Sequence, residues 1–355
     1  MTAPFRVLAA GDRFIRAGLF RSELEDRLGD RVAVEELEFE WPDAPFGAVG
    51  EVDEASGDED SLIAALAGKQ AIVTQLAPLT ERVLRESPDL RIIGVSRGGP
   101  TNVNVDAATR FGIQVVNVPG RNGIATAEMT LGLILAVTRR IPQTHQTLAA
   151  HEWHGEFYRA DEVGMEIAGS TVGLLGAGAV GGHVATVLHA MGAEVLVFDP
   201  YLPAGRLDGI ITRIDDIDEL FRRSNLISVH ARLTPETRHA VSAERLAMMP
   251  SGGFLVNAAR GGLVDYDAVA DAVDSRHLAG AAFDVFPTEP VDFGHRLFTL
   301  LAEGANIVMT PHIAGASRQT AIRAAAGVAE EVARHIDGAA PLHPLNTVGQ
   351  EIAAR

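Results

Sequence analysis

The sequence predicts an α/β protein made of two doubly wound parallel-sheet domains. Three observations carry that prediction. Short apolar runs alternate with helical patterns along most of the chain. One run opens directly into the spacing G-x-G-x-x-G, and an amphipathic stretch follows it. Finally, Asp199, His230, Arg260, Asp284, Glu289 and His312 each fall at or just past the end of such a run. In an open parallel sheet, those ends line the ligand crevice.

The elements follow in order. Residues 5–11 read as a first strand, 14–28 as a helix and 32–39 as a second strand. Acids crowd residues 35–40 and 51–60 and no Lys or Arg occurs from 32 to 68, so residues 41–60 read as a solvated loop, with a cation site as the alternative. The strand–helix rhythm resumes with strands at 71–76, 90–96 and 113–118, and helices at 80–86 and from about 105. Pro119-Gly120-Arg121-Asn122-Gly123 punctuates the chain and marks a boundary or hinge. The helix over 126–140 is apolar nearly all round its middle, which suits a core or a subunit interface. Later strands are expected at 172–175, 194–198, 226–229, 254–258, 279–283 and 307–310. A last helix over 317–336 precedes a proline-bearing tail at 341–344.

Composition narrows the function. At 355 residues there is room for two cores, and 47% hydrophobic with 22% charged residues describes an ordinary soluble protein. The net charge of −17 argues against nucleic-acid and anionic-membrane partners. With no Cys, disulfides, thiolate metal sites and thiol nucleophiles are excluded, and no metal is expected. Lys69 is the only lysine, which leaves Schiff-base chemistry a single candidate outside every motif. No secretory pattern opens the chain, and the longest apolar stretch, 129–137, is too short for a bilayer, so a cytoplasmic enzyme is the expectation.

The glycine motif has a mechanism at each position. Gly176 permits the tight turn, Gly178 lets a pyrophosphate approach the backbone, and Gly181 lets helix pack on strand. The helix amino end, at Ala179 and Val180, supplies free N–H groups and a positive dipole. Asp199, at the end of the next strand, stands where a carboxylate accepts from an adenosine ribose and repels a 2′-phosphate, which selects NAD over NADP. Jointly, Asp199, His230, Arg260, Asp284, Glu289 and His312 offer a fixed cation, an acid/base and a carboxylate to orient it, which makes a reactive constellation.

These motifs resemble the D-isomer-specific 2-hydroxyacid dehydrogenases, which include phosphoglycerate dehydrogenase and the glyoxylate and hydroxypyruvate reductases. The similarity covers about residues 70–345. It rests on the glycine motif with Asp199, on His230-Ala-Arg-Leu-Thr-Pro-Glu-Thr237, on Asn257-Ala-Ala-Arg260-Gly261-Gly262, on Asp284-Val-Phe-x-x-Glu289-Pro290 and on Pro311-His312-Ile313-Ala314-Gly315. The resemblance implies a flavodoxin-like substrate domain from residues 1–118 and 315–355, and a Rossmann NAD domain, 119–314, inserted between them. It also implies a homodimer through the helix that begins Thr126-Ala127-Glu128.

Carried over by residue, Arg260 holds the substrate carboxylate and keto oxygen, His312 donates the proton, and Glu289 orients and stabilises the charged imidazole. Asp284 holds the nicotinamide amide, and His230, Thr237 and Ala258 join the glycine turn as cofactor contacts. The loop Arg97-Gly98-Gly99 binds the carboxylate, and Gln75 is a further substrate contact. There is one departure that bears on the substrate. Phosphoglycerate enzymes carry Arg-Ser where this chain has Gln75-Leu76, although Arg97 and Arg121 could replace the lost charge. The resulting expectation is an NAD-dependent reductase of a small 2-keto acid, glyoxylate or hydroxypyruvate first, with 3-phosphoglycerate dehydrogenase or an NADH-sensing corepressor-like protein as alternatives.

Overall fold

The computed structural model describes residues 3–41 and 47–348. Contacts divide the chain into two compact units, Met1–Arg121 with Ala316–Arg355, and Asn122–Gly315.

The first unit holds strands β1 (Phe5–Gly11), β2 (Val32–Glu38), β3 (Gly47–Val49), β4 (Val52–Ala55), β5 (Ala71–Thr74), β6 (Ile92–Val95) and β7 (Gln114–Asn117). Five of them form a parallel sheet in the order β2-β1-β5-β6-β7, which is the flavodoxin-like order. Both faces are covered, so these strands read as continuous apolar runs in the sequence. Val7, Ala9, Val73, Ile92 and Val116 pack with the helices Ala17–Leu28 and Arg318–Ile336. Leu8, Ala10, Ile72, Ile93, Val95 and Val115 pack on the other side, with the helices Glu59–Leu66, Glu81–Arg85 and Val105–Arg110.

The acidic stretch differs from the expected loop. Residues 42–46 lie outside the described residues, but β3 and β4 pair as an antiparallel hairpin, and a helix begins at Glu59, capped by Asp58 accepting from Ser61 N at 2.8 Å. Val52 and Ala55 are buried, while the neighbouring acids Glu51 and Glu54 find partners far along the chain. Glu51 accepts from Glu81 N at 2.6 Å and from Asn104 Nδ2 at 2.7 Å, and Glu54 pairs with Arg97. Among the described residues no cluster of His, Asp or Glu could hold a metal ion.

The tail is tied down as well. Glu331, 1% exposed, accepts from Leu342 N at 3.0 Å and His343 N at 2.8 Å, and Pro344 bridges antiparallel to Val116 at the sheet edge.

The second unit opens with the helix Gly123–Thr138, which starts three residues before the expected 126–140 and stops two short, where Arg140 takes φ 53°. Its strands are β8 (Thr171–Leu175), β9 (Glu194–Phe198), β10 (Thr212–Arg213), β11 (Leu226–Val229), β12 (Gly253–Asn257), β13 (Leu278–Phe283) and β14 (Ile307–Met309). The order β10-β9-β8-β11-β12-β13-β14 is all parallel, the Rossmann winding with one further strand. Val172, Leu174, Val195, Val197 and Val256 pack with the helices Gly123–Thr138 and Ala179–Ala190. Leu175, Leu196, Ile227, Val229, Leu255 and Phe283 pack on the opposite face. No helix among the described residues is long and apolar enough to cross a membrane.

One glycine fixes how the helix after β8 meets the sheet. A Cβ on Gly181 would stand 2.3 Å from the carbonyl oxygen of Gly176, a backbone atom that cannot move aside cheaply. Gly181→Ala is therefore expected to lower the melting temperature by roughly 2–10 °C, the cost of an overpacked site in a unit of this size. A melt unchanged by that substitution would show that the turn relaxes freely.

Candidate active site

The winding of the second sheet reverses between β8 and β11, and the glycine turn stands at that reversal. Gly176 has φ 96°, and a Cβ there would approach the backbone of His230 to 3.0 Å. Gly178 precedes the helix Ala179–Ala190, and nothing lies within 4 Å of its would-be Cβ. The helix thus presents its first N–H groups, including those at Ala179 and Val180, to an open approach for a pyrophosphate. Asp199 accepts from Ala177 N and Tyr201 N, both at 2.9 Å, one on each oxygen. Each oxygen keeps a second lone pair, which ribose hydroxyls could use. These residues fit a dinucleotide.

His230 follows β11 against this turn, its Nε2 2.9 Å from Ser228 Oγ. Burial pushes its pKa down to about 4, so at neutral pH it is an uncharged ring. Ala258 is buried in the core at the end of β12. Thr237 shapes the exposed loop before it, accepting from Thr234 N at 2.8 Å and donating to Arg232 O at 2.6 Å.

Arg260, Glu289 and His312 come from three loops at the carboxyl ends of β12, β13 and β14. His312 Nδ1 lies 2.6 Å from Glu289 Oε2, and Glu289 Oε1 accepts from Phe286 N at 2.9 Å. The carboxylate is therefore fixed at both oxygens, and Nε2 is the nitrogen left for chemistry. The hydrogen bond to Glu289 raises the His312 pKa above its ordinary value; burial opposes this, the charges of Glu289 and Asp284 add to it, and that of Arg260 opposes it. Burial raises the Glu289 carboxyl, but the His312 hydrogen bond, the Phe286 N–H and the charges of His312 and Arg260 outweigh it, leaving it below the ordinary value. Arg260 is close enough to act on both, and its Nη1 donates to Ala259 O at 2.7 Å. Asn257 shapes that loop, accepting from Ala259 N and donating to Arg260 O.

Asp284 has a task that the sequence alone does not reveal. Fully buried, it accepts from Thr310 Oγ1 at 2.6 Å, Ile313 N at 2.9 Å and Ala314 N at 2.8 Å. These bonds clamp the loop on either side of His312, whose φ of 52° lies in the left-handed region that a side chain adopts at a cost of order 1–3 kcal/mol. Three donors on one carboxylate could be foreseen only once the fold brought 284 and 310–314 together. Tyr266 carries no signal of its place in the sequence either; its hydroxyl donates to Val285 O beneath the Glu289 loop.

The expected substrate contacts Gln75, Arg97, Gly98 and Gly99 belong to the first unit, at the ends of β5 and β6. Gln75 is buried, and Gly98 O accepts from Asn117 Nδ2 at 2.9 Å. Gly99 is open, with nothing within 4 Å of a would-be Cβ. Arg97 donates to the Glu54 carboxylate and its carbonyl.

The His312 ring should titrate above the ordinary value of about 6.5 when followed by NMR. Glu289→Gln removes the largest raising cause and is expected to move that titration to lower pH. Arg260→Met removes an opposing charge and should move it to higher pH. Identical titrations in all three proteins would break the proposed coupling.

Residues 131–314 match the family model described as D-isomer specific 2-hydroxyacid dehydrogenase, NAD binding domain. A D-3-phosphoglycerate dehydrogenase of Mycobacterium bovis is 39% identical over 306 residues, 86% of this chain and 53% of that protein. One of Synechocystis is 35% identical over 286 residues, 80% of this chain and 50% of that protein. The chain thus spans about half the length of the curated relatives it matches. Among solved structures, a D-lactate dehydrogenase of Treponema pallidum shares the fold, with a TM-score of 0.79 at 23% identity over 97% of this chain and 100% of that one. The chain belongs to the D-isomer specific 2-hydroxyacid dehydrogenase family, and residues 131–314 are its NAD-binding domain.

Proposed function

We propose that the protein is an NAD-dependent dehydrogenase that interconverts a 2-keto acid and its D-2-hydroxy acid. The observation that carries this is the 2.6 Å pair of His312 and Glu289 with Arg260 acting on both, in a unit of the NAD-binding family. When bound, NAD supplies the hydride acceptor, and NADH the donor. Arg260 grips the planar carboxylate of the acid through paired N–H groups. His312 gives its proton to the keto oxygen from Nε2 in reduction and takes it back in oxidation. Glu289 holds the ring by Nδ1 and keeps it charged until the proton moves. Asp284 fixes the loop that presents the ring, and support for its contact with the nicotinamide amide is the resemblance alone.

On the acid itself, the relatives named D-3-phosphoglycerate dehydrogenase favour a phosphorylated substrate over glyoxylate or hydroxypyruvate. A second reading, the hydroxypyruvate type, keeps specific support. Gln75-Leu76 offers no cation, and Arg97 is already engaged by Glu54. We also infer a homodimer through the helix Gly123–Thr138 and its successor Ile141–Ala149. That successor has no buried residue and, with the segment after it, exposes Ile141, Leu148 and Trp153. Pairing with a second copy would cover them.

Turnover tests the class. With NADH, His312→Ala should lose about 10²- to 10⁴-fold in the rate of keto-acid reduction at every pH. The wild-type rate should fall as pH rises through the raised His312 pKa, and that alkaline limb should move to lower pH in Glu289→Gln. Failure of every keto acid, 3-phosphohydroxypyruvate and hydroxypyruvate included, would leave the NADH-sensing alternative; the kcat/KM order of those two decides the substrate reading.

Cofactor choice tests Asp199. NADH should be used at least about tenfold better than NADPH, because one unfavourable charge contact in a partly dry site is worth a pKa unit or more of free energy. Asp199→Ala should narrow the gap. Equal use of both cofactors would instead implicate Arg206, whose guanidinium comes 3.7 Å from the Cβ position of Gly182.

A further inference from the structure

Two hydrogen bonds of the site share one peptide group. Val285 C=O accepts from the Tyr266 hydroxyl, and Phe286 N–H, the other half of that peptide, donates to Glu289 Oε1 at 2.9 Å. A trans peptide is planar and points its C=O and N–H in opposite directions, so a donor on the oxygen and an acceptor on the N–H pin the plane from both sides. Glu289 Oε2 continues the line to His312 Nδ1 at 2.6 Å. The contacts therefore run from a buried phenol, through one peptide and one carboxylate, to the imidazole. Every member lies in the second unit.

Tyr266 is placed to anchor this line. It opens the helix Tyr266–Asp274, whose start is capped by Asp265 accepting from Ala268 N at 3.1 Å. Its ring is buried, with its centroid 4.8 Å from that of Phe283 and 6.3 Å from that of Phe286. Burial pushes the pKa of the phenol well above its ordinary value, so it stays a donor wherever His312 titrates. Among the described residues no other donor reaches the buried Val285 O. Phe286, Pro287 and Thr288 border a cavity of about 150 Å³, so on that side packing does not hold the loop. The Glu289 side chain is 35% exposed, and a carboxylate released by Phe286 N would turn to water.

A buried tyrosine usually pairs its hydroxyl, and that alone implies no role. The carbonyl chosen here is what matters, because its own peptide N–H holds the carboxylate that orients the acid. Polarisation works in the same direction, since a hydrogen bond received by C=O makes the N–H of that peptide a better donor. We propose that Tyr266 is a positioning residue, which fixes the peptide between Val285 and Phe286 and so keeps Glu289 in the orientation that binds His312 Nδ1. The proposal deepens the dehydrogenase reading and rests on it only for the effect on turnover.

Tyr266→Phe in the full chain keeps the ring and removes the O–H. Loss of one hydrogen bond should lower the melting temperature by roughly 2–4 °C and leave the second unit folded. The Phe286 amide should then exchange with solvent faster than in the wild type, while the amides of β12 keep their protection. The charges acting on His312 are those of Glu289, Asp284 and Arg260, and only the hold of Glu289 should change. The NMR titration of His312 should therefore move to lower pH, by less than in Glu289→Gln. In a Glu289→Gln background, Tyr266→Phe should add no further shift, because the carboxylate it acts through is gone. In keto-acid reduction, kcat should fall about three- to tenfold, the worth of one hydrogen bond, and the alkaline limb should follow the titration. KM should hold, since the Arg260 loop keeps its bonds to Asn257. A His312 titration unchanged in Tyr266→Phe overturns the proposal, as does an equal shift with and without the Glu289 carboxylate; either leaves the hydroxyl serving the core alone. If exchange and titration behave as stated while no keto acid is reduced, the dehydrogenase reading fails and the positioning role stands.

Discussion

Parallel strands cannot be joined by tight turns, so each must be followed by a crossover that returns the chain to the other end of the sheet. Every crossover in the two sheets therefore leaves from the same edge, and the loops that begin there gather side chains far apart in sequence. This constraint brings Gly176, Asp199, His230, Arg260, Asp284 and His312 to one rim of the second unit, since each follows or ends a strand of a single parallel sheet. The reversal of winding between β8 and β11 then opens a gap in that rim, and the glycine turn occupies it with His230 alongside. The same logic puts Gln75 and Arg97 on the rim of the first unit, past the ends of β5 and β6.

Much of the fold is legible in the sequence because burial on both faces turns parallel strands into apolar runs. Val172 to Leu175 and Leu226 to Val229 could be read directly, and the spacing of Gly176, Gly178 and Gly181 identified the turn between strand and helix. The hairpin of β3 and β4 was not legible. Its signal is two buried residues, Val52 and Ala55, among acids that look solvated until Glu51 meets Asn104 and Glu54 meets Arg97. Each of those partners lies more than 40 positions away, so no local pattern announces them. The tail reads as a proline-bearing end for the same reason, because Glu331 reaches it across a turn that only the packed helix defines.

The site shows a similar division. The residue types of Arg260, Glu289 and His312 were legible through the family resemblance, while the means of holding them was not. Asp284 looks like a cofactor ligand in sequence, yet its two oxygens carry three hydrogen bonds from the loop that bears His312. A charge buried without partners would be costly, and one bound by donors from a single loop makes that loop rigid. Asp284 therefore positions the loop that bears His312, and its charge reaches the imidazole only as a lesser influence beside Glu289.

The neighbours of His312 pull its proton affinity in opposite directions, and this opposition suits a reversible reaction. Glu289 holds the proton on the ring, while burial and, less strongly, the charge of Arg260 work against it. Were Glu289 alone present, the imidazolium would be a weak acid, slow to release its proton to a keto oxygen. Without Glu289, burial and the charge of Arg260 would both lower the ring's affinity for its proton. General acid–base catalysis is most effective when the group's affinity lies near the working pH, because it must be populated in one form and reactive in transfer. In the proposed reaction the same guanidinium would grip the substrate carboxylate, so the group that lowers the ring's affinity would stand beside the carbon being reduced. In the proposed reaction a carboxylate substrate arriving there would offset part of the Arg260 charge and add to the hold of Glu289, so the ring would keep its proton most firmly when a keto acid is present to receive it.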